Sequence, residues 1–351
     1  MKKRILIAPL NWGLGHATRC IPIIKALYEN GFEPIIASDG IALQLLRKEF
    51  PGFSSIELPS YNITYAKKGK HFKLKLLKDS PRLAKTIKAE RKATKLIVEN
   101  HRIAGVISDN RLGVYDKKVP SVFVTHQLNV LSGRTTWLST KLHEKFITKF
   151  DECWVPDNEG NINLSGKLGH KKHLDIPTKY IGPLSRFNKS NTQNRIDLLV
   201  LLSGPEPQRT MLEEKLLKEV GNFKGSVVFV RGVMEQKQTI TEKGPVTIYN
   251  FMTSVLLEKT INESKLVLCR SGYTTVMDLA KLEKLAFFIP TPGQSEQEYL
   301  AKRMTEQGFA PSCSQEEFSI DKLEIVSDFK GLKSFNVDIN HKKLFGLFQG
   351  K

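Results

Sequence analysis

Three loops in this chain carry chemically useful residues at spacings that suit an anionic, sugar-bearing ligand. The first is Arg270-Ser271-Gly272, with Thr274, Thr275 and Asp278 just beyond it. A glycine there lets a ligand approach the backbone. Ser271, Thr274 and Thr275 place hydroxyls and N–H groups at a helix start, where free donors and the helix dipole favour a phosphate. Asp278 follows Thr274 by four residues and Thr275 by three, so it shares their helix face and can accept hydrogen bonds from a ribose diol. The competing reading is that Ser271 and Thr274 only cap the helix. The second loop is Trp12-Gly13-Leu14-Gly15-His16, with Arg19 one turn on. Its glycines allow a tight bend round a substrate, and His16 can serve as a base near neutral pH or touch a phosphate. Trp12 can stack on a sugar ring or simply pack. The third is Thr125-His126-Gln127-Leu128-Asn129, matched by Asp109 and Asn110 after the preceding strand. Polar residues that converge on strand ends suit a substrate site, although each could equally brace its own loop.

Positioning these loops requires alternating strands and helices. Apolar runs at 5–10, 32–38, 54–58, 105–108, 121–125 and 152–155 read as strands, and helical periodicity separates most of them. The rhythm restarts at Ile196–Leu202, passes through runs at 226–230 and 246–248, and reaches Leu266–Cys269. A helix from Thr274 to about Glu283 and a strand from Leu285 to Pro290 follow, closed by a polar loop. Such βαβ alternation predicts parallel, doubly wound sheets with ligands at the carboxyl ends of the strands. Tyr180-Ile181-Gly182-Pro183 ends the first half, and the polar, aperiodic stretch 185–195 reads as a linker. The expected division is therefore a domain over 1–184, a linker, and a second domain over 196–351. A terminal helix over His341–Phe348, capped by Asn340, is expected to pack near the interdomain seam.

The 351 residues suffice for about two domains. Cys20, Cys153, Cys269 and Cys313 are widely spaced, which argues against a metal knuckle or disulfide framework and for a reducing, cytoplasmic setting. There is no DxD motif and no His/Cys cluster, so no metal and no cofactor is expected. The apolar run after Met1 stops at Asn11, too short for a signal peptide. A net charge of +18 implies attraction to phosphates. Lys67–Lys95 concentrates twelve basic residues against two acidic ones, with apolar residues interleaved. It suits an anionic membrane surface or a solvated helix face. Nucleic acid is a poorer partner, because no DNA- or RNA-binding motif accompanies the charge.

Together these residues resemble the family 28 glycosyltransferases, the MurG-like group of GT-B nucleotide-sugar enzymes. Cys269-Arg270-Ser271-Gly272, Thr275, Asp278, Gln297 and Tyr299 stand in the family's order, and Gly13-Leu14-Gly15-His16 resembles its glycine-rich loop. His126-Gln127-Leu128-Asn129 and Ile181-Gly182-Pro183 resemble two further family segments. The resemblance implies an α/β GT-B fold, with two Rossmann-like doubly wound parallel-sheet domains facing across a cleft. It implies that the C-terminal domain binds a UDP-sugar: Ser271, Gly272 and Thr275 at the diphosphate, Asp278 at the ribose, Phe251 and Met252 beside the base, Glu296 and Gln297 at the sugar. Ser203, Gly204 and Arg231 would complete that pocket. Trp12, Gly13, Gly15, Asp109, His126, Gln127 and Asn129 would meet the acceptor, a glycan or lipid-linked molecule, with His16 as base. Several positions depart from the family pattern. Trp12 replaces a small residue, Pro205 and Pro207 interrupt the loop after Gly204, Glu298 follows Gln297, and Asp278 is a methylene shorter than Glu. Gly13–Cys20 also resembles the loop of nucleotide-sugar hydrolases, in which the histidine activates water. A binding protein that keeps the fold without turnover is a third reading. The leading expectation is inverting, metal-independent hexosyl transfer from a UDP-sugar.

Overall fold

The computed structural model describes residues 2–61, 80–131, 136–171, 173–233, 235–333, 335 and 339–350. They form two compact units, divided after Ser185.

The first unit is built on β1 (Arg4–Pro9), β2 (Glu33–Ser38), β3 (Ser55–Glu57), β4 (Ile103–Asp109), β5 (Ser121–Val124), β6 (Glu152–Val155) and β7 (Thr178–Tyr180). They pair in the order β3-β2-β1-β4-β5-β6-β7, every pair parallel. Ile5 to Ala8 are all fully buried, as expected of a central parallel strand covered on both faces. The crossovers run through α1 (Gly15–Glu29), α2 (Gly40–Glu49), α3 (Ser80–Asn100) and α4 (Thr136–Ile147). Leu6, Ile35, Val106 and Ile97 of α3 share one core layer.

The second unit holds β8 (Ile196–Leu201), α5 (Gln208–Glu219), β9 (Val227–Val230), β10 (Ile240–Lys243), β11 (Val246–Tyr249), α6 (Ser254–Asn262), β12 (Ser264–Cys269), α7 (Tyr273–Lys281), β13 (Leu285–Phe288) and α8 (Ser295–Glu306). Its order is β10-β11-β9-β8-β12-β13, parallel except for the β10–β11 hairpin. Leu198, Val200, Phe229, Leu268 and Phe287 fill its core beneath Leu212 and Leu216 of α5. Both sheets are the doubly wound α/β type that the strand rhythm implied.

Two segments differ from the sequence reading. Residues 186–195 are not a free linker but lie along the second unit. Phe187 is buried, Asn188 N donates to Glu258 Oε2 at 2.9 Å, and Ser190 N donates to Asn262 Oδ1 at 3.0 Å. The terminal helix does form, as α9 (His341–Leu344) and a 3-10 turn (Phe345–Phe348), with Asn340 Oδ1 accepting from Lys343 N at 2.9 Å. It belongs to the first unit rather than the second. Its Phe345 and Phe348 rings lie 6.2 and 6.1 Å from the buried Trp154 ring. Gly105 of β4 makes the room: a β-carbon there would stand 2.2 Å from Phe348.

Candidate active site

In the first unit the register sets Pro9 of β1 beside Asp109 of β4, and Asp109 beside Val124 of β5. The carboxyl ends of three central strands thus meet where α1 begins. Asp109 is fully buried, and Arg19 of α1 holds it with Nε on one carboxylate oxygen and Nη2 on the other. His16 Nδ1 lies 2.7 Å from Asp109 Oδ1 and 3.0 Å from Arg19 Nη2, while Arg19 Nη1 lies 2.9 Å from His126 Nδ1. Burial alone would raise the Asp109 pKa, but Arg19 and His16 overcome it and hold the carboxyl well below its usual range. Burial and the Arg19 charge lower the His16 pKa, against the opposing pull of Asp109. Nδ1–H toward Asp109 leaves the Nε2 lone pair for a substrate proton, the orientation a general base requires. Gly13, at φ +73°, supplies the left-handed turn that leads into Gly15 and α1. Trp12 and Gln127 are half-buried at the same edge.

Asn129 does not join that cluster. Its Nδ2 donates to the carbonyls of Lys167 and His170, and its N donates to Leu168 O at 2.9 Å, so it braces the 166–170 loop.

In the second unit the ends of β8, β12 and β13 come together, because Cys269 pairs with both Leu201 and Phe288. Arg270 is buried behind this edge. Its Nη1 donates to Pro290 O at 3.0 Å, and its Nη2 donates to Gln208 O at 3.0 Å and to Gln315 Oε1 at 2.8 Å. Burial lowers its pKa to about 10, so it stays charged at neutral pH. Ser271 does not cap α7: its hydroxyl donates to Gln297 O at 2.8 Å, and Gly272 is the cap position, with no side-chain cap bond. The first turn of α7 also lacks an acidic residue. The N-terminus of α5 differs, since Glu206 accepts there from Thr210 N at 3.3 Å and from Arg209 Nε at 2.6 Å. A phosphate is therefore better received at α7 than at α5, where a carboxylate already sits. Space near Gly272 is open, and Thr274, Thr275 and Asp278 are half-buried on α7.

Among the described residues, three buried polar atoms at this edge have no hydrogen-bond partner: Arg270 Nε, Gln208 Oε1 and Thr291 Oγ1. Thr291 Oγ1 would lie 3.7 Å from a β-carbon on Gly204, whose φ of +109° suits only glycine. Buried groups left unpaired call for an explanation, and a polar ligand at a strand-end edge is one.

Other expected donor-site residues are engaged locally. Gln297 Oε1 accepts from Thr291 N at 2.9 Å and its Nε2 donates to Gln294 Oε1 at 2.6 Å, which closes the 291–297 turn. The stretch from Ser295 to Tyr299, read as loop, is the first turn of α8, with Glu296 on it. Arg231 donates to Glu213 Oε1 at 2.5 Å. Phe251 and Met252 lie half-buried just before α6, and Ser203 is exposed beside Gly204. Sequence reasoning missed Thr291 and Gln208. Thr291 follows β13 as Ser271 follows β12, so the strand-end rule applied there could have found it.

Residues 208–328 match the family model described as glycosyltransferase family 28 C-terminal domain. A search of curated proteins yields no match to the chain. Solved structures resemble it over nearly its whole length. The glycotransferase of kitacinnamycin superposes with a TM-score of 0.65 at 12% identity, covering 99% of this chain and 94% of that one. The spinosyn rhamnosyltransferase SpnG, complexed with thymidine diphosphate, gives 0.63 at 13%, covering 99% and 95%. MurG of Acinetobacter baumannii gives 0.56 at 13%, covering 93% and 90%. The fold is GT-B, with two Rossmann-like α/β units. The match over residues 208–328 is to a glycosyltransferase domain, which supports an enzyme that transfers glycosyl groups.

Proposed function

We propose that the enzyme transfers a hexosyl group, in the narrower form N-acetylhexosaminyl, from a UDP-sugar to an acceptor hydroxyl with inversion and without a metal. The observation that carries the donor half is the edge formed by Gly204, Arg270, Gly272 and Thr291, where buried polar atoms lack partners among the described residues beside a helix start with no side-chain cap. The α7 N–H groups would receive the diphosphate, Asp278 the ribose hydroxyls, and Phe251 and Met252 the base. As UDP departs, the α7 dipole would offset the charge that develops on the leaving phosphate. In the first unit His16 Nε2 would remove the acceptor proton, oriented by Asp109. Trp12, Gly13, Gly15, His126 and Gln127 would line the acceptor side. The thymidine diphosphate named with SpnG supports a nucleoside diphosphate at the donor site.

The acceptor half of the proposal is a lipid-linked glycan met at the inner face of a membrane. Part of the basic segment, residues 67–79, lies outside the described residues. On α3, Arg82, Lys85, Lys88, Lys92 and Lys95 are all exposed at spacings of one helix face. That stripe suits anionic headgroups. Among the described residues no helix is long and apolar enough to cross a membrane.

The decisive measurement is thermal. UDP should raise the midpoint by linkage and Asp278→Ala should remove the rise. An unchanged midpoint with UDP, and with thymidine diphosphate, would end the nucleotide-sugar reading. With a UDP-sugar and no acceptor, slow release of free sugar fits transfer, whereas rapid and complete release would mean hydrolysis.

A further inference from the structure

Arg19 lies at the centre of the first-unit cluster, and the base role given to His16 leaves it without a task of its own. It is 1% exposed, and it touches both oxygens of Asp109, His16 Nδ1 and His126 Nδ1. We propose that Arg19 is a positioning residue that keeps His16 a neutral base by compensating the charge of Asp109.

A histidine against an uncompensated buried carboxylate is held as imidazolium, and an imidazolium has no lone pair for an acceptor proton. The bidentate guanidinium removes that drive and brings a cationic Nη2 to 3.0 Å from His16 Nδ1. Asp109 still orients the ring, because its Oδ1 lies nearer, at 2.7 Å, and accepts from Nδ1–H. Were Arg19 Nη2 to donate to Nδ1 instead, Nε2 would carry the proton and His16 would become a donor. The two contacts compete for one nitrogen, and the carboxylate distance favours the base form. The charged and titratable groups facing His16 are Arg19 from its own helix, Asp109 from the end of β4 and His126 beyond β5. Cys20 Sγ lies 3.5 Å from Asp109 Oδ2, and the charge of His126 bears on His143 of α4. The direction of the His16 shift, below its ordinary value by burial and by Arg19, agrees.

The inference rests on His16 as the base, and its test is separable from that assignment. Histidine-labelled full-length protein is titrated by nitrogen NMR without substrate, with His16→Gln assigning the signal. Wild-type His16 should titrate below ~6.5 with Nε2 unprotonated in the neutral form. In Arg19→Gln the midpoint should rise by about one unit or more, a roughly tenfold tighter proton, and in Asp109→Asn it should fall. Arg19→Lys keeps the charge but not the fork, so its rise should be smaller; it replaces Arg19→Gln if that variant does not fold. The acid limb of kcat/KM should move with the NMR midpoint while KM for the donor stays put. A wild-type midpoint at or above ~6.5, or midpoints that do not move in folded variants, would overturn the proposal. Sugar transfer surviving His16→Gln would remove the base assignment and leave the effect of Arg19 on His16 standing.

Discussion

The hydroxyl of Thr291 stands 3.7 Å from where a β-carbon on Gly204 would be, and it is buried with no hydrogen-bond partner among the described residues. A hydroxyl in that condition weakens the free protein, and a bound polar group would repair it. Thr291→Val should therefore leave stability unchanged within ~0.5 kcal/mol, or raise it, while weakening UDP binding about 3- to 10-fold. Denaturant midpoints paired with calorimetric titration decide the matter. A clear loss of stability with UDP affinity intact would show that the hydroxyl has a purely internal role.

Gly204 itself should be sensitive for a different reason. At φ +109° an alanine is strained whatever the space around it, so Gly204→Ala should lower stability by about 1–3 kcal/mol. Thermal melting of the variant without nucleotide measures this.

Acid should weaken the fold through its buried histidines, against a smaller opposing contribution from Glu90, whose pKa burial raises. An unfolded histidine binds its proton near ~6.5, whereas folded His143 does so at about 4, chiefly through burial and then through His126. The stability that neutral His143 contributes is complete above the unfolded value. It falls as the pH drops toward the folded one, by up to ~1.4 kcal/mol per pH unit. His16 shifts in the same direction. Urea midpoints should therefore fall between pH ~7.5 and ~4.5, and His143→Phe should flatten the slope. A midpoint indifferent to pH over that range contradicts the account.

Arg111 anchors a buried charge network in the first unit. Its Nε donates to Glu90 Oε1 at 2.6 Å and its Nη1 to Asp39 Oδ1 at 2.7 Å, with Tyr61 also donating to Glu90. Arg111→Met would strand two buried carboxylates and should cost about 3–5 kcal/mol, enough to be seen as lost or misfolded protein in circular dichroism. A variant as stable as the wild type would mean that water already compensates these carboxylates.

The C-terminal turn offers a fluorescence readout. Phe348→Ala should cost about 3–4 kcal/mol and move Trp154 emission to longer wavelength, because the ring covering the indole is gone. Emission that stays put would show that Phe345 alone suffices as the cover.

The strands and helices around the site were legible in the sequence where burial imposes a continuous apolar run, as at Ile5–Ala8 and Leu266–Cys269. The β10 strand was not, since Ile240-Thr241-Glu242-Lys243 is exposed throughout and carries no burial pattern. The start of α8 looked like a loop because Ser295 to Glu298 are polar, yet Glu296 and Glu298 in its first turn suit the positive end of a helix dipole. The positions of His16, Asp109 and His126 followed from the strand-end rule. That Arg19 would hold Asp109 did not, because pairing across ninety residues leaves no local trace. Separations of 72 and 21 residues likewise hide Arg111 from Asp39 and Glu90.

The first unit is discontinuous in sequence: Trp154 and Phe32 are covered by Phe345 and Phe348, with Arg186–Asn336 of the second unit encoded between. A ribosome must therefore synthesise every strand of the second unit before the aromatic cover of the first exists. The earlier half of the chain waits with an uncovered indole while the later half completes its own core. For nascent chains, the vulnerable interval of this protein belongs to the half made first.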